Sequence, residues 1–91
     1  MDLTGLPGAE LIEKGLFDLT RGVTSIEALL VAIGRPRLSR LGLEVPSHPH
    51  SEPEHTLYHL LAATDPDSAH SRYNALIRRL VSFERAAECV A

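Results

Sequence analysis

Four of the five histidines, His48, His50, His55 and His59, crowd into one short stretch together with Glu52 and Glu54. Imidazoles at i and i+4 of a helix can chelate one metal ion, and His55 and His59 have that spacing. His48 or His50 would then supply a third ligand from a preceding loop, with a carboxylate or water as the fourth. On a helical projection His55 and His59 lie roughly opposite Leu57, Leu60 and Leu61, so the pair faces solvent or a partner rather than a closed cavity. Histidines placed this way lack the outer groups that orient metal ligands, and the competing reading is a set of solvated side chains.

A second constellation is Arg35, Arg37 and Arg40. A helix, a glycine turn at Gly34 and a short helix would resemble a helix-turn-helix, with Arg37 and Arg40 three residues apart on one face and able to meet phosphates. The short helix offers little beyond Ser39 and arginine to read base edges. A net charge of -3 gives a polyanion no general attraction. The competing reading pairs these arginines with Glu44 or other carboxylates and lets their stems cover apolar surface. The Leu6-Pro7-Gly8 turn loosely resembles that of a helix-hairpin-helix, which implies a glycine amide near a phosphate at a helix N-terminus. Glu10 and Glu13 just after it are ordinary residues complementing a helix dipole.

Catalysis has little support in the residues. A serine or cysteine nucleophile needs a base within hydrogen-bond reach and an oxyanion site, and the separated Ser, Cys and His positions imply neither. Glu52 and Glu54 sit in a polar segment with nothing to desolvate one of them into an acid. The last helix carries His70, Arg72, Asn74, Arg78, Arg79 and Arg85 on its polar side. Its order of histidine then arginine reverses that of certain small helical ribonucleases, so no catalytic role is carried across. No catalytic residue, no cofactor and no enzymatic activity are expected. Cys89 is the single cysteine, which permits no disulfide within the chain and fits a reducing compartment. The Met1-Asp2-Leu3 start lacks the basic and apolar regions of a secretory signal, and no apolar run reaches the ~18 residues of a membrane span. A cytoplasmic protein that does not enter the membrane is expected.

The elements that must position these groups are helical. Ala9, Ile12, Leu16 and Leu19 recur at three and four residues, with Leu11 and Phe17 broadening the apolar side. Pro7 suits the first turn of that helix and Gly22 its end. Thr24 and Glu27 have capping-box spacing, so a second helix starts near Ser25. Residues 26 to 33 are apolar almost all round, as in a helix enclosed by its neighbours. Gly34 then predicts a stop, and Pro36 a short third helix over 36–41 ending at Gly42. Residues 43 to 53 hold three prolines without useful periodicity and predict an irregular, exposed loop, the best candidate for mobility. A further helix should run from Pro53 or Glu54 to Ala63, with Leu57, Leu60 and Leu61 on one side. Asp65-Pro66 ends it and starts the last helix, with Asp65 as cap.

That last helix, to Glu88, brings Ala69, Tyr73, Leu76, Leu80, Phe83 and Ala87 into one stripe, with Ile77 and Val81 widening it. Arg85 and Glu88 could pair across its polar side. No stretch alternates over strand length. The fold class is therefore all-α, a single domain over 1–91 of four to five helices centred on the second and the last. So small a domain leaves about 40% of its unfolded surface exposed, which favours association. The stripe is about 160° wide, more than one side of a helix needs here. The best functional reading is a non-catalytic interaction module, a homodimer or a small subunit of an assembly, with Ile77, Val81 and Val90 at the interface. The alternatives are a nucleic-acid-binding regulator using Arg35, Arg37 and Arg40, and a metal-binding protein using His48, His50, His55 and His59.

Overall fold

Four α-helices make up the described part of the chain, residues 3–90 of a computed structural model: α1 (Ala9–Thr20), α2 (Ile26–Arg40), α3 (Pro53–Thr64) and α4 (Ala69–Val90). No strand occurs among the described residues. The helix that is apolar all round lies at the centre, as its composition requires. Ala28, Leu29, Leu30 and Val31 of α2 are fully buried, and α2 packs against each of the other three helices. Burial of each such leucine or valine stabilises by ~1.5–3 kcal/mol. Ile12 and Leu19 of α1, Leu57 and Leu61 of α3, and Leu80, Phe83 and Ala87 of α4 complete the core.

The α1–α2 junction is close because Gly15 has no side chain. A Cβ there would lie 2.4 Å from the Glu27 carbonyl oxygen and 2.4 Å from Val31 Cγ2. A polar clasp closes the same junction. Lys14 Nζ donates to Asp18 Oδ2 at 2.7 Å, and the Ser25 hydroxyl donates to the same oxygen at 2.6 Å. Ser25 Oγ also accepts the Ala28 amide at 3.0 Å and so caps α2. The cap is therefore Ser25 rather than Thr24, while Glu27 lies 3.7 Å from Lys14 instead of reaching back to close a box. Lys14 and Ser25 hold the Asp18 carboxyl below its ordinary range.

The expected break at Gly34 and Pro36 is absent. α2 runs unbroken through Gly34 and Pro36, so the predicted short helix is its last part and the count is four. Gly34 serves packing, since a Cβ there would come within 2.9 Å of Leu80 Cδ1 and 3.3 Å of Glu84 Oε2. Pro36 lacks an N–H, which leaves the Ala32 carbonyl without its α-helical partner but does not stop the surrounding turns. The real stop comes at Gly42, whose φ of 99° lets the Leu43 amide reach back to the Leu38 carbonyl at 3.1 Å.

Other departures follow the same logic of packing over local signal. The turn at Pro7 precedes α1, whose N-cap is Gly8. Gly8 abuts α4, where a Cβ would meet the Arg79 carbonyl oxygen at 3.3 Å. Phe17 points outward, 59% exposed, beneath the Arg21 guanidinium at 5.2 Å. The segment between α2 and α3 is irregular as expected but not wholly exposed, because Val45 is buried and Leu43 half-buried against the core. In α3 the buried stripe is Pro53, Leu57 and Leu61, and Leu60 turns outward. α4 begins four residues later than Asp65: that carboxylate accepts the Asp67 amide at 3.1 Å and the Ser68 hydroxyl at 2.9 Å, organising the turn before the helix.

Candidate interaction surface

α4 places its stripe largely as the periodicity requires, with Ala69, Leu80, Phe83 and Ala87 buried and Tyr73, Leu76, Ile77 and Val81 half-buried. Ile77 packs against the chain's own core, and Val90 is 67% exposed at the end of the helix. One buried member of this face is charged. Glu84 is 4% exposed and lies 3.5 Å from Arg37, whose Nε donates to Glu88 at 2.5 Å. Burial pushes the Glu84 carboxyl above its ordinary value, against the pull of Arg37. Arg37 holds Glu88 below its own.

This arrangement changes the reading of the arginine group. Arg37 ties α2 to α4 through Glu84 and Glu88, in place of a pair with Glu44 or of Arg85 with Glu88. Arg35 and Arg40 remain exposed on an unbroken helix, so the two-helix geometry of a helix-turn-helix does not form around them. On α4, Arg79 pairs with Glu10, and Arg78, Arg79 and Ser82 line a cleft of about 300 Å³ with Pro7 and Gly8. The Leu6-Pro7-Gly8 turn and the polar side of the last helix thus meet.

The histidines separate into two pairs. His48 and His50 stack with ring centroids 5.7 Å apart, and His48 Nδ1 accepts the His50 amide at 3.2 Å. They line an open cleft of about 540 Å³ with Arg35, Pro36, Ser39, Ser51 and Glu54. His55 and His59 are exposed on α3, with centroids 6.0 Å apart. No group of three or more His, Cys, Asp or Glu side chains converges to hold a metal ion among the described residues. The four-histidine set does not assemble within one chain.

A surface that the sequence reading passed over surrounds the second pair. Tyr58 of α3 lies against Tyr73 of α4, ring centroids 5.8 Å apart, and with Glu54, His55 and His59 they line a mostly apolar cleft of about 270 Å³. Burial pushes the Tyr73 hydroxyl above its ordinary value, and the nearby Glu54 charge adds to the shift. At 100° per residue His55, Tyr58 and His59 form a stripe turned away from the buried Pro53, Leu57 and Leu61, bordered by Ala62, which packs partly against the core. From His55 to Thr64 there is no Asp, Glu, Lys or Arg, although most of these residues are exposed. Tyr58 is 38% and Leu60 39% exposed. The signal was present in the sequence as a charge-free run, but it was visible only as spacing between histidines.

No family model matches the chain, and neither does any curated protein or solved structure. The fold and the surface define a class, an all-helical domain of four helices, of which none is long and apolar enough to cross a membrane among the described residues.

Proposed function

We propose that this chain is a non-catalytic protein–protein interaction module that self-associates through the outer face of α3. The observation that carries the reading is the absence of charge from His55 to Thr64 on a helix that exposes His55, Thr56, Tyr58, His59 and Leu60. The outward face of a helix in a monomer carries charged and polar residues. The centres of protein interfaces are depleted in charge and enriched in tyrosine, whose ring contributes large contact area at low entropic cost.

A second copy is the partner that such a face fits. A two-fold interface lays one patch against itself, so a charge near the axis would meet its like. An uncharged stripe carries no such penalty. Two antiparallel α3 helices would set His55, Tyr58 and His59 on their own copy. The exposed Val90, at the far end of α4, supplies a single apolar side chain rather than a face. Ile77 and Val81 contribute what their half-buried positions leave free.

Sedimentation velocity across a concentration series tests this reading. The parent chain is expected to form dimers, and Tyr58→Glu to remain monomeric with unchanged helical circular dichroism. A parent chain that stays monomeric at high micromolar concentration would overturn it. So would a folded Tyr58→Glu variant that associates as tightly as the parent.

A further inference from the structure

His55 and His59 have the spacing of a helical chelating pair but lack further ligands in their own chain. Their rings neighbour each other at 6.0 Å on the exposed side of α3. Two imidazoles bound tetrahedrally to one zinc ion at Zn–N distances of about 2.0–2.1 Å have ring centroids about 5 Å apart. The observed separation therefore exceeds the ligating one by only about 1 Å, a change within reach of a rotamer adjustment in two exposed side chains. His48 and His50 do not complete the set: they stack on one another and line a different cleft, and no third ligand converges among the described residues. A complete set of ligands would need groups from outside the chain.

We propose that two copies of this chain bind one zinc ion between them, each contributing His55 and His59 as a four-imidazole tetrahedral site. The inference rests on the self-association of α3 set out above. An antiparallel two-fold pair brings His55 of one chain beside His59 of the partner subunit, so four ring nitrogens meet at the axis. Four neutral imidazoles around one ion form a closed site of structural type, with no position open for a substrate. Imidazole nitrogen suits zinc, as it does copper and nickel, and a tetrahedral four-ligand set favours zinc, whereas a hard ion such as magnesium seeks oxygen. The four Zn–N bonds replace the aqueous ion's bonds to water, which is released to solvent, and any imidazolium present gives up its proton as zinc binds. Glu54 lines the same cleft as both rings, which places a carboxylate near the ligands. The role of the metal is to tighten and orient the dimer.

Native mass spectrometry and sedimentation of the chain without a histidine tag, with and without zinc sulfate, test the inference. The expected result is one zinc per two chains and a dimer constant tightened about tenfold when free zinc is about ten times its dissociation constant. His55→Ala and His59→Ala should each lose that zinc-dependent gain, judged within each variant against its own zinc-free value. A dimer that forms without zinc and is unaffected by it would overturn the zinc site and leave the α3 reading standing. A chain that is monomeric in both conditions would overturn both. Zinc bound as tightly by the double variant His55→Ala/His59→Ala as by the parent would overturn the assignment of ligands.

Discussion

Gly15→Ala separates local preference from packing more sharply than any other single change. In an exposed helical position, glycine to alanine stabilises by ~1 kcal/mol, because alanine loses less backbone freedom on folding. At Gly15 the added Cβ would lie 2.4 Å from the Glu27 carbonyl oxygen, 2.4 Å from Val31 Cγ2 and 2.9 Å from the Glu27 carbonyl carbon. Two of the three atoms are backbone within α2, the most enclosed helix of the fold, so no rotamer change relieves them. Relief requires α1 to move away from α2 by about 1 Å, and a gap of that size forfeits a quarter to a half of each dispersion contact. Overpacking of this kind costs ~1–3 kcal/mol, and the upper end applies where backbone must move. After the propensity gain, the net loss is ~2 kcal/mol, or a fall of roughly 8–16 °C in Tm for a domain of this size. Thermal and urea unfolding followed by circular dichroism measure it. A Gly15→Ala chain as stable as the parent, or more stable, would refute the close α1–α2 approach on which this fold depends.

Three further outcomes follow from named contacts. Ser25→Ala removes the cap of α2 and a partner of Asp18, and should lower stability by ~1–2 kcal/mol in urea titration, whereas Thr24→Ala should stay within ~0.5 kcal/mol. Pro36→Ala should raise stability by ~1–2 kcal/mol, since the ring is exposed and the new amide can reach the Ala32 carbonyl; a loss would show that the proline is required by its surroundings. The third concerns pH. The Glu84 carboxyl sits above its ordinary value, so the folded chain holds that proton more tightly than the unfolded chain and loses stability as pH rises through the interval between the two values. Glu84→Gln cannot ionise, so its stability relative to the parent should improve as pH rises through that interval and level off below the ordinary glutamate value; a pH-independent difference would contradict the burial of an ionising Glu84. Glu88 behaves oppositely, because Arg37 holds it low, and its contribution is lost as pH falls.

The parts of the fold that were legible in the sequence are those governed by sustained periodicity. The long α4 and the all-round apolar start of α2 each show burial through many residues, so a single atypical side chain does not hide the pattern. Gly34 and Pro36 misled because both serve as local punctuation in most helices. Here the glycine admits Leu80 and Glu84 of α4, and that need is set by residues more than 40 positions away. Glu84 was illegible for a related reason. A carboxylate on the apolar side of α4 makes sense only beside Arg37, and the sequence does not say which residues of α2 face which of α4. Thr24 and Ser25 both match a cap, and only the position of Asp18 on α1 selects between them.

The candidate site was half legible. The i, i+4 relation of His55 and His59 and their outward direction could be read from the projection, and the structure places them so. Their separation from His48 and His50 could not, because it depends on the path of an irregular segment partly anchored by Val45. Attention to the apolar stripe of α4 drew the expected interface toward Ile77, Val81 and Val90. A stripe wide enough for two neighbours finds them within the chain when α2 and α3 both lie against it. The interface proposed above lies instead on α3, where charge is missing from 55 to 64.

Isotope-filtered nuclear magnetic resonance on an equal mixture of carbon-labelled and unlabelled chains tests the central claim most directly, since it detects only proximities between separate copies. Intermolecular signals linking the Tyr58 ring to His55 or His59 are the predicted result. A concentrated sample with no intermolecular signal, or with signals confined to α1 or to the Val90 end of α4, would contradict self-association through the outer face of α3.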